Sequence, residues 1–155
     1  MNIEILEQEQ ARRTELLTAM ARDVFDDLDP GYIGARVPHM VDPMLVMASD
    51  ELGPLGFKLG YRDSANFYSW LGGVHPRARR QGLATELMRA QHAHVHSMGY
   101  RNITTRTRAS NRTMIILNRK CGFEIVGFEI NDAGFAVVNQ RKGLDVEANA
   151  GKQMS

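Results

Sequence analysis

Strand, basic glycine loop, helix and strand follow one another without a break between Phe67 and Thr107, and this run dictates more of the architecture than any other part of the chain. Phe67 to Val74 is a compact run of strand formers, and Pro76 ends it. From Gly82 onward Ala84, Leu87, Met88, Val95 and Met98 recur on one helical stripe, and Gly99 stands where such a helix stops. Arg101 to Thr107 is rich in β-branched residues and reads as a second strand. Two strands joined through a helix cannot form a hairpin. They run parallel in one sheet, through a right-handed crossover.

The flanks add antiparallel strands. Asn2 to Leu6 reads as a first strand and Glu9 to Asp27 as a helix, with Leu16, Leu17, Met20, Ala21 and Val24 at helical spacing. Residues 29–42 hold too many prolines and glycines for a long helix and read as loop or short turns. Met44 to Ser49 and Leu55 to Tyr61 form a hairpin around Asp50-Glu-Leu-Gly-Pro, with Asp50 and Glu51 as solvated turn residues. Past the crossover, Ser110 or Asn111 can cap a helix through Lys120 that Gly122 closes. Phe123 to Ile130 and Phe135 to Val138 are the last strands, around Asn131-Asp-Ala-Gly. The expected organisation is one domain over 1–141 and a frayed polar tail over 142–155.

The loop between the central strand and helix reads Arg79-Arg-Gln-Gly-Leu-Ala84. A helix start exposes N–H groups without intrahelical partners, and the helix dipole adds positive potential, so it suits an anion such as a diphosphate. Gly82 permits close approach to the backbone, and Arg77, Arg79 and Arg80 add charged donors. The charge distribution points the same way. Residues 1–63 carry 6 basic and 12 acidic side chains, whereas residues 77–120 carry 10 basic side chains and a single acid, Glu86. A middle segment this basic is matched to a polyanion, either a phosphorylated cofactor or a nucleic acid. The acidic first third opposes a nucleic acid wrapped around the protein.

The single cysteine, Cys121, excludes an intrachain disulfide and fits a reducing compartment. The start, Met1-Asn-Ile-Glu-Ile-Leu-Glu7, lacks a signal-peptide core, and no apolar run reaches the roughly 18 residues of a membrane span. The expectation is a cytoplasmic protein with no membrane partner.

Two stretches carry a resemblance. Val74-His-Pro-Arg-Ala-Arg-Arg-Gln-Gly-Leu-Ala-Thr-Glu-Leu-Met88 resembles the acetyl-coenzyme A signature of the GCN5-related N-acetyltransferase (GNAT) superfamily. Asn111, followed by Leu117-Asn-Arg-Lys-Cys-Gly-Phe123, is similar to that family's second conserved stretch, and order and spacing match over roughly residues 44–140. The resemblance implies an α/β (α+β) fold. Its mixed, mostly antiparallel sheet would have a central splayed parallel pair and helices on both faces. It implies an enzyme moving an acetyl group from acetyl-coenzyme A, as co-substrate, to a primary amine by direct attack on the thioester.

Residue by residue, it implies that the backbone from Arg80 through Gln81, Gly82, Leu83 and Ala84 to Thr85 binds the diphosphate, with Arg79 beside it. The pantetheine arm would lie between the splayed strands and pair with main chain near Val74. An N–H near Leu71 or Gly72 would polarise the thioester carbonyl, and Asn111 would hydrogen-bond the arm. One position departs from the pattern. Where the family carries a Tyr able to protonate the leaving thiolate, this chain has Asn118, whose amide can position sulfur but has no proton to give near neutrality. Tyr61, Tyr68 and His75 are the candidates for proton transfer from the incoming amine.

The acceptor, a small molecule or a protein amine, is not specified, although the acidic first third would favour a cationic one. Two other readings stay open: a module that binds acyl-coenzyme A without turnover, suggested by the missing Tyr, and an RNA-associated protein using the basic segment. No nucleic-acid partner is expected, and the protein would be a monomer or homodimer. His92 and His96 stand four apart on one helix but lack a third ligand in register, so no metal is expected. Cys121 reads as a small core residue, and Phe67 and Trp70 as packing in the sheet.

Overall fold

The computed structural model describes residues 1–11, 17, 22 and 30–144. β1 (Asn2–Glu7) leads into α1, described over Gln8–Ala11, and α2 spans Pro30–Arg36 with a 3-10 turn behind it at Val37–His39. β2 (Val41–Asp50), β3 (Gly53–Asp63) and β4 (Asn66–Val74) follow as successive hairpins. The crossover helix α3 (Leu83–Ser97) leads to β5 (Asn102–Arg108), and α4 (Arg112–Lys120) to β6 (Glu124–Ile130) and β7 (Ala136–Gly143). All seven strands form one sheet in the order β1-β2-β3-β4-β5-β7-β6. Every neighbouring pair is antiparallel except β4 and β5.

That parallel pair is joined at only two positions, Phe67 to Ile103 and Tyr68 to Thr104. A bulge beside the junction explains why the strands part. Leu59 faces Leu71 across the ladder and Gly60 faces Ser69, so Trp70 is an extra residue in β4. An extra residue bends its strand and re-aims the side chains beyond it. Trp70 and Leu71, consecutive in sequence, accordingly both pack on the same face.

Each face of the sheet has its own core. One is built by Leu83, Leu87, Met88 and Val95 of α3 over Val46, Phe67 and Ile103. The other gathers Ala11, Leu17, Ile33 and Val37 over Leu45, Phe57 and Leu59. The α3 stripe differs from the expected one at its ends. Leu83 is buried, whereas Met98 lies past the last turn as the C-cap and is 44% exposed.

Three other expectations are corrected or extended. Residues 30–36 form a seven-residue helix, because Pro30 occupies the first turn, where its missing N–H costs nothing. Asp42-Pro43 lies within β2 and not in a loop, since a register shift between Val41 and Met44 accommodates the proline. β7 continues past Arg141 to Gly143, and Leu144 is buried with its N–H donating to the Arg101 carbonyl at 2.8 Å. Most of the helix expected over Glu9 to Asp27, and the tail over 145–155, lie outside the described residues.

Candidate functional site

Where β4 and β5 diverge, they leave a groove of about 570 Å³ floored by Ser69 to Gly72 and walled by Thr105 to Arg108, with Asn111, Met114 and Asn118 of α4 along its rim. The last tie across it is the Thr105 hydroxyl, which donates to the Ser69 carbonyl at 2.9 Å. Beyond that point the backbone of β4 from Leu71 to Val74 has no strand on its β5 side. A narrower apolar cleft, about 100 Å³, continues along Gly72, Gly73 and Val74 to Ala84 and Leu87 of α3. Groove and cleft together form a trough whose far end approaches the N-terminus of α3.

That terminus leaves backbone donors unpaired beside open space. Gly82 is the N-cap in the left-handed region (φ 78°, ψ 7°), and Arg80 is also left-handed at φ 64°. The first helical bond runs from the Glu86 N–H to the Gly82 carbonyl. The N–H groups of Leu83, Ala84 and Thr85 therefore have no acceptor within the helix. Nothing lies within 4 Å of where a Gly82 side chain would begin, so the space above the loop is open.

The arginines divide differently from the sequence expectation. Arg77 is not available to a ligand. Both its terminal nitrogens donate to the Asp50 carboxylate at 2.9 Å, and one also reaches the Gly53 carbonyl. Asp50 is correspondingly no freely solvated turn residue. Hydrogen bonding by Arg77 holds its carboxyl down at about 2, and the Leu52 N–H adds to this. Arg79 donates from Nε to the Val74 carbonyl at 3.1 Å, which pins the loop to the end of β4. Arg80 is exposed, and Gln81 Nε2 donates to the Arg77 carbonyl at 3.5 Å.

Both asparagines of the second motif face this trough. Asn111 caps α4, its Oδ1 accepting from the Met114 N–H at 3.3 Å. Asn118 is 3% exposed, and its Nδ2 donates to Gln140 Oε1 at 2.9 Å, while Gln140 donates to the Ile115 carbonyl. One N–H and the carbonyl oxygen of Asn118 remain for the groove. None of the three proton-transfer candidates lines the groove. His75 caps a 3-10 turn beyond the end of β4, with Nδ1 accepting from the Arg77 N–H. Tyr61 and Tyr68 meet edge to face at 5.5 Å at the opposite end of the strand. Burial pushes the Tyr68 hydroxyl above its ordinary range against the opposing pull of Arg106, so Tyr68 stays protonated at neutral pH.

Sequence reasoning passed over Lys58, Arg36 and the position of Trp70. Arg36 lies 4.8 Å over the Trp70 ring and donates to the hydroxyls of Tyr32 and Tyr61. Trp70 packs as expected but also lines the groove, because the bulge turns it there. Lys58 had one available signal. It is the sole charge inside the apolar run Leu55-Gly-Phe-Lys-Leu-Gly-Tyr61. Its neighbours Phe57 and Leu59 are fully buried on one face, so strand alternation turns Lys58 into the trough.

No carboxylate lines the groove among the described residues; its charged side chains are Lys58, Arg106 and Arg108. Three described acids of the first third are instead paired, Glu7 with His94, Asp42 with Arg62 and Asp50 with Arg77. The expected pull on a cationic acceptor therefore has no carboxylate in the groove to exert it. His92 faces inward, its Nδ1 accepting from Lys142 Nζ at 2.9 Å, while His96 is exposed.

A family model described as an acetyltransferase (GNAT) domain matches residues 43–125, more than half of the 155-residue chain. By sequence, no curated protein matches. Solved structures match over nearly the whole chain. The ribosomal-protein-S18-alanine N-acetyltransferase from Escherichia coli superposes with a TM-score of 0.73 at 15% identity, over 92% of this chain and 94% of that one. An aminoglycoside 6'-N-acetyltransferase from Enterococcus faecium gives 0.73 at 16% identity, over 93% and 97%. An aminoglycoside 6'-N-acetyltransferase complexed with coenzyme A gives 0.74 at 16% identity, over 93% and 97%. At such identities the likeness is one of fold, and the shared feature is a mixed sheet opened at a single parallel pair.

Proposed function

This chain belongs to the GNAT acetyltransferase family, and from that premise we propose that it moves the acetyl group of acetyl-coenzyme A to a primary amine by direct attack on the thioester. The observation that carries the reading is continuity. The splayed pair, the apolar cleft and the uncapped start of α3 make one trough with hydrogen-bonding backbone along it and unpaired helix N–H groups at its end. A thioester-bearing arm ending in a diphosphate needs that order of surfaces.

In this reading the N–H groups from Arg80 to Thr85 hold the diphosphate, and Arg79 fixes the loop that presents them. Main chain of Leu71, Gly72 and Val74 pairs with the pantetheine arm in place of the missing strand, and an N–H at Leu71 or Gly72 polarises the thioester carbonyl. Asn111 bonds the arm through its amide nitrogen. Asn118, its orientation set by Gln140, directs its remaining N–H toward sulfur. The amine approaches from the end where Tyr68, Trp70 and Arg36 gather. Most of the rate then comes from positioning and from donors aimed where charge develops. The acceptor is a small-molecule or protein amine.

Calorimetric titration tests the cofactor half of this reading. Coenzyme A should bind more tightly than pantetheine, which lacks the nucleotide phosphates. Gly82→Val should raise the coenzyme A dissociation constant at least about tenfold while circular dichroism stays native. A β-branched residue resists the left-handed conformation by roughly 1–2 kcal/mol and reshapes the loop. Equal affinity for coenzyme A and pantetheine, or submicromolar binding of RNA at physiological salt, would overturn the assignment. Thiol release across a panel of amines then separates turnover from binding alone.

A further inference from the structure

Lys58 sits in the ladder directly opposite Gly72, at the point where the groove passes into the apolar cleft, and it lines both. Its Nζ is 3.6 Å from where a Gly72 side chain would begin, so the ammonium passes beneath the floor of the splay. Two titratable groups face it from the packed elements, the Cys121 thiol behind α4 and His92 from α3, and Lys142 of β7 stands behind them against His92. None is a carboxylate, and no ion pair holds Lys58 among the described residues. A lysine kept on an interior strand without a counter-charge is costly to the fold, and that cost calls for a reason.

The reaction supplies one. When an amine displaces coenzyme A, a proton must pass from nitrogen to sulfur. The other side chains of the trough cannot carry it near neutrality. Arg106 and Arg108 do not release protons, the amides of Asn111 and Asn118 have none to exchange, and serine and threonine hydroxyls are far too weak. Tyr68, outside the lining, is engaged by Arg106. We propose that Lys58 is the catalytic acid of this enzyme, giving its proton to the departing thiolate. The inference rests on the acyl-transfer reading above.

The step balances without another reactant. The acceptor nitrogen forms a bond to the carbonyl carbon, the carbon–sulfur bond breaks, and its electron pair stays on sulfur. Lys58 Nζ–H donates its proton to that sulfur and is left a neutral amine. It then takes the proton that the acceptor nitrogen sheds on becoming an amide, directly or through one water, and the ammonium is restored. Burial brings Lys58 down to about 8, close to the ordinary thiol value of about 8.5, so the transfer is nearly balanced in both directions.

Two measurements test it. In the first, free coenzyme A is bound to the protein and the thiolate absorbance is followed against pH. With Lys58 beside sulfur, the thiolate should appear at least about one pH unit lower on the wild type than on Lys58→Met. Met replaces an unpaired ammonium by an apolar chain of similar length, so the variant is expected to fold. In the second, thiol release is measured with an active amine. The wild-type maximal rate should decline above about pH 8, and Lys58→Met should lose at least about a hundredfold together with that decline.

Lys58→Arg keeps the charge but not the exchangeable proton, so it should stay near the Met variant. Its pH profile serves if Met does not fold. Identical thiol titrations in wild type and Lys58→Met, recovery of the rate in Lys58→Arg to within about threefold, or a stable acetyl group on Lys58 by mass spectrometry would each overturn the proposal. Failure of the wild type to bind coenzyme A would instead remove the acyl-transfer reading beneath it.

Discussion

Gly60→Ala is expected to cost at least ~3 kcal/mol of stability, because two rigid neighbours would meet the added methyl group. A Cβ at this position would lie 2.4 and 2.5 Å from two carbons of the Phe67 ring and 2.5 Å from the Tyr68 carbonyl oxygen. Neither can yield cheaply. Phe67 is 1% exposed and locked edge-on against Tyr100, with ring centroids 5.5 Å apart. The carbonyl belongs to the backbone of β4, at the junction with β5. Relief therefore requires β3 and β4 to separate beside the bulge that opens the groove. Urea denaturation followed by circular dichroism reads the loss. Gly34→Ala is the control. It lies in α2, with nothing within 4 Å of the new methyl, and should gain up to about 1 kcal/mol from helix propensity. A Gly60→Ala midpoint equal to wild type would mean that Phe67 can vacate its place.

Acid should destabilise the fold through His92. Burial first, then the positive charges of Lys142 and Lys58, bring this imidazole down to about 3 from its ordinary 6.5. Between those values the unfolded chain binds a proton there that the folded chain refuses. His92 therefore exacts no stability penalty above about pH 6.5, and the penalty grows as pH falls toward 3. At ~1.4 kcal/mol per pH unit, the full loss approaches about 5 kcal/mol, a large share of a typical domain's stability. Paired carboxylates such as Asp50 add to acid lability, so the comparison must isolate the histidine. Urea midpoints at about pH 7 and about pH 4 should differ by much less in His92→Leu than in wild type. Equal differences in the two proteins would rule out His92 as the source.

The crossover unit was legible because each of its signals is local. The α3 start is set by Gly82, the stops by Gly99 and Gly122, and the cap of α4 by Asn111, and all four positions behave as their residue types require. The partners of charged groups were not legible, since they are chosen across the sheet. Arg77 meets Asp50 from 27 residues away, and His92 meets Lys142 from 50. Those contacts also explain why the end of β7 reads as a tail in sequence. Gln140 and Lys142 are too polar for a core strand until Asn118 and His92 are placed opposite them. Lys58 was hidden for a related reason. Its neighbours in sequence describe a buried strand, and only the opening between β4 and β5 shows that one side of that strand is a cavity.

The two-rung junction between β4 and β5 has a mechanical side. It joins a leaf of four strands, β1 to β4, to a leaf of three, β5, β7 and β6. Within each leaf the strands share ladders of six or more registered pairs, while the seam has two. Rigidity across a sheet comes from its rungs, so the seam is the line along which the molecule bends most easily. Under load applied across the strands the leaves would swing apart there, with α3 spanning the gap, before either leaf began to fray. A hinge placed at the closed end of the groove lets a small angular movement widen the passage for a product, resisted mainly by the α3 core that packs across the seam on Phe67 and Ile103.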